Sequence, residues 1–144
     1  MTLHPPLPVS DDVSRPFWDG LKEGKLLVQR CAMCQRLQFP PDAACETCSS
    51  RELSFEQMSG RGKIFSFTET VSGARHPYFQ SLAPYLVGMV QLDEQEGLVF
   101  ASNFPGAQYA DLAIGAPVTV EFQEIAEGVV IPQFTLCAAG EGNC

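Results

Sequence analysis

A mainly β fold is predicted by three features of the 144-residue sequence: two closely spaced cysteine pairs set among short apolar runs, five strand-like segments after residue 60, and one short helical stripe before residue 24. They divide the chain into an N-terminal arm with a short helix at 1–24, a metal-binding ribbon at 25–58 and a five-stranded barrel at 59–144. A chain of this length buries about 70% of its unfolded surface without outside help. With 45% apolar residues it has the material for such a core.

The arm comes first. Pro5, Pro6 and Pro8 hold the opening dozen residues extended. Ser14 is then expected to cap a helix that tolerates Pro16 in its first turn and gathers Phe17, Trp18 and Leu21 on one side. Gly20 weakens this helix and Gly24 ends it.

The ribbon follows from cysteine spacing. Cys31, Cys34, Cys45 and Cys48 read C-x2-C-x10-C-x2-C, with Leu26-Leu27-Val28, Leu37-Gln38-Phe39 and Leu53-Ser54-Phe55 before, between and after the pairs. Each C-x2-C turn sets two sulfurs on one side of an ion, and two turns close a tetrahedral shell, so one structural zinc per chain is expected, with no position for a reactive water. Rubredoxin-type iron carriers use the same paired turns, and metal analysis separates the two. Gln35 and Ser49 stand where such turns favour glycine, so both are expected at positive φ. Cys137 reads as a small residue of the barrel core and Cys144 as a terminal thiol.

Strand-like segments at 63–71, 85–93, 97–104, 117–125 and 129–136 make the barrel. The fourth alternates Val118, Val120 and Phe122 with Thr119, Glu121 and Gln123; the second is apolar on both faces and should lie inside the sheet. Residues 108–114 form one or two helical turns. Five strands with a short helix between the third and fourth fit an OB-type Greek-key barrel, where a sandwich needs about seven. Pro132 marks an edge or bulge.

The net charge of −8 is unevenly placed: residues 1–59 hold six basic and eight acidic side chains, residues 60–144 three and nine. That balance argues against a general affinity for nucleic acid or anionic membrane. The opening residues lack the basic and apolar segments of a secretory signal, and no apolar run is long enough to span a membrane, so the chain is expected to be cytoplasmic. No Ser-His-Asp arrangement, glycine-rich phosphate loop or HExxH pattern is present, and no catalytic residue is assigned. Asp93, Glu94 and Glu96 read as a solvated hairpin turn, and His4 as solvated in the arm. The loop at 72–79 is distinctive, because it gathers Arg75, His76, Tyr78 and Phe79 where OB barrels bind ligands.

The segment from Phe17 to Leu26, the run Gln29-Arg30-Cys31 to Cys34, Phe39-Pro40-Pro41, the second cysteine pair and Ser59-Gly60-Arg61-Gly62 together resemble a known group. The likeness continues through Pro84-Tyr85-Leu86-Val87, Val90-Gln91-Leu92-Asp93, Ile114 to Val118 and Pro132-Gln133-Phe134, covering about residues 15 to 136. It is to the zinc-ribbon/OB-fold proteins associated with thiolases and other acyl-CoA enzymes. Gln35, Ser49 and Asp42 depart from that group's pattern. The resemblance implies a non-catalytic accessory subunit that binds a thiolase-fold enzyme (thiolase, acyltransferase or retro-aldolase) and helps hold or channel acyl-CoA. On that reading Phe17, Trp18 and Phe39 are expected to dock the partner, and Arg75, His76, Tyr78 and Phe79 to border the acyl-CoA path. A single-stranded nucleic-acid binder of the same architecture is the alternative. It needs a basic groove with aromatic platforms, which Arg61, Lys63 and Arg75 among nine acids supply poorly.

Overall fold

A computed structural model describes residues 3–138. Its opening helix, α1 (Arg15–Lys22), buries Phe17, Gly20 and Leu21. Ser14 does not cap it as expected. The Asp11 carboxylate accepts the Ser14 N–H at 2.7 Å, while the Ser14 hydroxyl turns back to accept the Asp11 N–H at 3.1 Å. The Ser14 N–H first, and then the Ser14 hydroxyl beside it, hold the Asp11 carboxyl below its ordinary range. Gly24, at φ +72°, closes the other end, as its N–H bonds to the Leu21 carbonyl. Gly20 does more than weaken the helix: a Cβ there would lie 2.7 Å from the Leu27 side chain, so glycine lets α1 press onto the ribbon.

The ribbon is a three-stranded antiparallel sheet of β1 (Leu27–Cys31), β2 (Leu37–Gln38) and β3 (Leu53–Gln57), in the order β2-β1-β3. Five antiparallel strands then form the barrel: β4 (Arg61–Thr70), β5 (Tyr85–Leu92), β6 (Val99–Ser102), β7 (Pro117–Ala126) and β8 (Val129–Leu136), in the order β6-β5-β4-β7-β8. β5 is an interior strand, as its apolar faces require. Pro132 lies in β8, an edge strand of the ladder, where a missing N–H costs nothing. The residues at 108–114 contribute one 3-10 turn, Tyr109–Asp111.

Between β6 and β8 the barrel is closed by side chains. The Ser102 hydroxyl accepts the Phe134 N–H at 2.8 Å, and the Gln133 amide oxygen accepts the Asn103 N–H at 2.8 Å. The result is a nearly closed OB barrel around Ile64, Val90, Phe100, Phe104 and Phe134, all at most 2% exposed. The residues at 72–79 are not all loop: α2 (Pro77–Leu82) occupies part of that stretch.

Ribbon and barrel are tied at the β5–β6 turn. Gln95 pairs with the backbone of Leu37 like an added strand, with both hydrogen bonds at 2.8 Å. Glu94, expected to be solvated, accepts the N–H and hydroxyl of Ser59 at 2.9 and 3.0 Å. Above this joint Phe39 stacks on Phe100 with ring centres 3.9 Å apart, and Phe17 packs on both. Among the described residues no helix is long and apolar enough to cross a membrane. Cys137 falls just past β8 and is half-buried; Cys144 lies outside the described residues.

Candidate functional site

The four ribbon cysteines converge. Their sulfurs all lie within 4.8 Å of one another, with Cys31–Cys48 and Cys34–Cys45 both at 3.6 Å. A tetrahedral ion with bonds of about 2.3 Å needs sulfur edges of about 3.8 Å, so the residues present fit zinc with little adjustment. Local backbone geometry explains the approach: the Gln35 N–H bonds to the Cys31 carbonyl at 2.9 Å and the Ser49 N–H to the Cys45 carbonyl at 2.8 Å. Both closures need a left-handed residue, and Gln35 and Ser49 each adopt φ +64°, as the spacing predicts.

The knuckles also tune the thiols. The Cys34 N–H, followed by that of Met33 and the neighbouring Cys48 and Cys34 thiols, draws Cys31 down to about 6. Cys45 is lowered by the amides of Cys48 and Thr47. At Cys48 the Ser50 amide acts in the same direction but is outweighed by Cys31, burial and the remaining thiols, which push it up to about 12. Backbone N–H groups aimed at sulfur are what a thiolate shell requires.

Two glutamines missed at the sequence level hold the knuckles together. Gln29 and Gln38 are 4% and 3% exposed. Gln29 bonds both the N–H and the carbonyl of Asp42 at 2.9 Å; Gln38 donates to Gln29 at 2.8 Å and accepts the Glu46 N–H at 2.9 Å. They thereby fix the segment that carries Cys45 to the first pair. Buried polar residues paired to one another and to backbone leave no periodic signal. Arg30, clamped by Glu56, donates to the Gln35 carbonyl at 2.7 Å and braces the first knuckle.

The other candidate residues separate into two surfaces. Phe17, expected to dock a partner, is 2% exposed and packs mainly within this chain, reaching the surface only at the wall of the concavity formed with Trp18 and Phe39. Trp18 and Phe39 are half-buried and line a shallow apolar concavity of about 300 Å³ over Phe100. At 72–79, His76 caps α2, its Nδ1 accepting the Tyr78 N–H at 3.2 Å. Arg75 opens into a concavity with Ser72 and Gln80, while Tyr78 and Phe79 face an apolar groove on the other side. Arg75 thus lines a different concavity from Tyr78 and Phe79, while the His76 ring packs edge-on against Phe79.

A family model described as "ChsH2, rubredoxin-like zinc ribbon domain" matches residues 18–54, and "ChsH2, C-terminal OB-fold domain" matches 55–123. With the thiolate cluster, the ribbon match makes the centre one structural zinc per chain.

Among curated relatives, the "Probable enoyl-CoA hydratase alpha subunit" of Thermomonospora curvata is 32% identical over 82% of this chain, which spans only 36% of that protein. A "DUF35 domain-containing scaffold protein" of Pyrococcus furiosus is 30% identical over 85% of this chain and 77% of its own length. The "Benzoylsuccinyl-CoA thiolase subunit BbsA" of Thauera aromatica is 32% identical over 45% of this chain and 42% of its own. Among solved structures, a chain of the "Ltp2-ChsH2(DUF35) aldolase" superimposes with a TM-score of 0.77 at 28% identity, covering 90% of this chain and 98% of that one. Two consecutive domain models of one family, and a scaffold relative matched over most of its own length, establish that the chain belongs to the ChsH2/DUF35 family of zinc-ribbon and OB-fold proteins.

Proposed function

We propose that this chain is a non-catalytic subunit that partners a thiolase-fold enzyme and helps to bind or channel its acyl-CoA substrate. The observation that carries this reading is the likeness, over 90% of the chain, to a chain of the Ltp2-ChsH2(DUF35) aldolase. The thiolase-subunit name of one relative and the scaffold name of another support it. In this arrangement the helix of 1–24 and the ribbon of 25–58 face the partner, with Trp18 and Phe39 as aromatic anchors, and the barrel of 59–144 faces the substrate. Arg75 then supplies the cation that meets a CoA phosphate. His76 serves by capping α2, which presents Tyr78 and Phe79.

The test is reconstitution with the thiolase-fold enzyme that co-purifies from the source cell. Trp18→Ala is expected to weaken assembly at least tenfold. Arg75→Ala is expected to leave assembly intact and raise KM for the acyl-CoA. Unchanged assembly and unchanged KM in both variants would refute the assignment.

A further inference from the structure

One concavity that the zinc site does not explain lies between the N-terminal arm, α2 and the β7–β8 hairpin. It has a volume of about 610 Å³, within the range of small-ligand sites. Pro6 and Leu7 form one wall, Phe79 and Leu82 a second, and Ile125 and Ile131 a third. None of its fifteen lining residues carries a charge, in a chain of net charge −8 with 18% charged residues. Its polar floor is already paired. The Gln133 amide nitrogen donates to the Asn103 amide oxygen at 3.1 Å, and Asn103 in turn donates to the Leu86 carbonyl at 2.9 Å. A charged group placed there would lose its hydration and gain no counterion.

The arm wall has a further property. Among the described residues, no hydrogen bond ties residues 3–10 to the rest of the chain, so apolar contact alone holds this wall. Leu3 and Leu7 remain 46% and 50% exposed. A wall held this way can shift to admit a ligand without breaking a ladder.

We infer that this groove binds an uncharged apolar group, the acyl portion of a thioester, and excludes its nucleotide. This rests on the acyl-CoA reading above and makes it more specific. The phosphates must lie outside, and the Arg75 concavity on the other side of the 72–79 segment suits them. α2 is then the divider between the two halves of one ligand, with Tyr78 and Phe79 turned to its apolar half.

The experiment uses the zinc-loaded full chain without a partner, so its outcome is separable from that of the assembly test. The uncharged fluorophore N-phenyl-1-naphthylamine is titrated into the protein, then displaced with octanoyl-CoA or with free CoA. Expected are saturable binding of one fluorophore per chain, displacement by octanoyl-CoA, and none by CoA at the same concentration. Leu82→Asp, which adds a charge to a 45% exposed wall residue, and Gln123→Trp, which fills the groove from an exposed position, should each weaken binding at least tenfold. Ile114→Asp, outside the groove and 67% exposed, should leave it unchanged. No saturable binding, binding indifferent to both groove variants, or displacement by CoA equal to that by octanoyl-CoA would overturn the inference.

Discussion

Ser49 shows how much a single residue reports. It sits at φ +64° with nothing but the knuckle turn to demand it, and a non-glycine residue there costs about 1–2 kcal/mol. Ser49→Gly should therefore raise stability by about 1 kcal/mol, read from denaturant midpoints with zinc bound. Gln35→Gly should gain less, because it forfeits the Gln35 side-chain bond to the Ala32 carbonyl. Both strains were legible beforehand, since a C-x2-C turn dictates them. Phe17 was not: apolar residues at 17, 18 and 21 read alike whether they pack inward or onto a partner, and only the stacked Phe39 and Phe100 decide. Gln38 was equally hidden. Gln38→Leu would leave the Glu46 N–H without its partner, at a cost of about 1–3 kcal/mol. That variant should lose zinc to a chelator faster than the native chain while the barrel stays folded.

At the scale of elements, alternation and turn residues placed all five barrel strands, because a half-buried sheet imposes period two on side chains. α2 escaped for a physical reason. Its six residues are too few for a helical period, and Pro77 biases His76 toward the extended backbone that also marks a loop. The barrel's curvature is more demanding than its strand count. β4 carries a bulge between Ile64 and Ser66, and β5 passes it with Gly88, where a Cβ would lie 2.1 Å from the Ser66 carbonyl oxygen. Backbone cannot yield like a side chain, so Gly88→Ala should lower stability by about 2 kcal/mol, checked by thermal unfolding. The joint between ribbon and barrel is gentler. Gln95→Ala removes two hydrogen bonds worth about 1 kcal/mol each, and should loosen the ribbon in hydrogen exchange at Leu37 without moving the barrel core.

Across the whole molecule, the metal centre was legible and the groove was not. Four cysteines within eighteen residues announce themselves locally, whereas the groove joins the arm at 5–8, α2 and strands more than forty residues further on. Nothing in a linear pattern brings Leu7 to Ile131. Zinc and groove also have separate tasks. The zinc organises the ribbon that braces α1 and the Trp18 surface, so Cys31→Ala should abolish zinc in elemental analysis and weaken partner assembly while barrel strands persist in circular dichroism. The central claim is the division of labour between this chain and a thiolase-fold enzyme, and turnover tests it most directly. Acyl-CoA consumption is measured for this chain alone, for the enzyme alone and for the two mixed at equal concentration. The account predicts no turnover by this chain, and a mixture whose kcat/KM exceeds that of the enzyme alone at least tenfold. Turnover by this chain alone, or a mixture no faster than the enzyme, would contradict it.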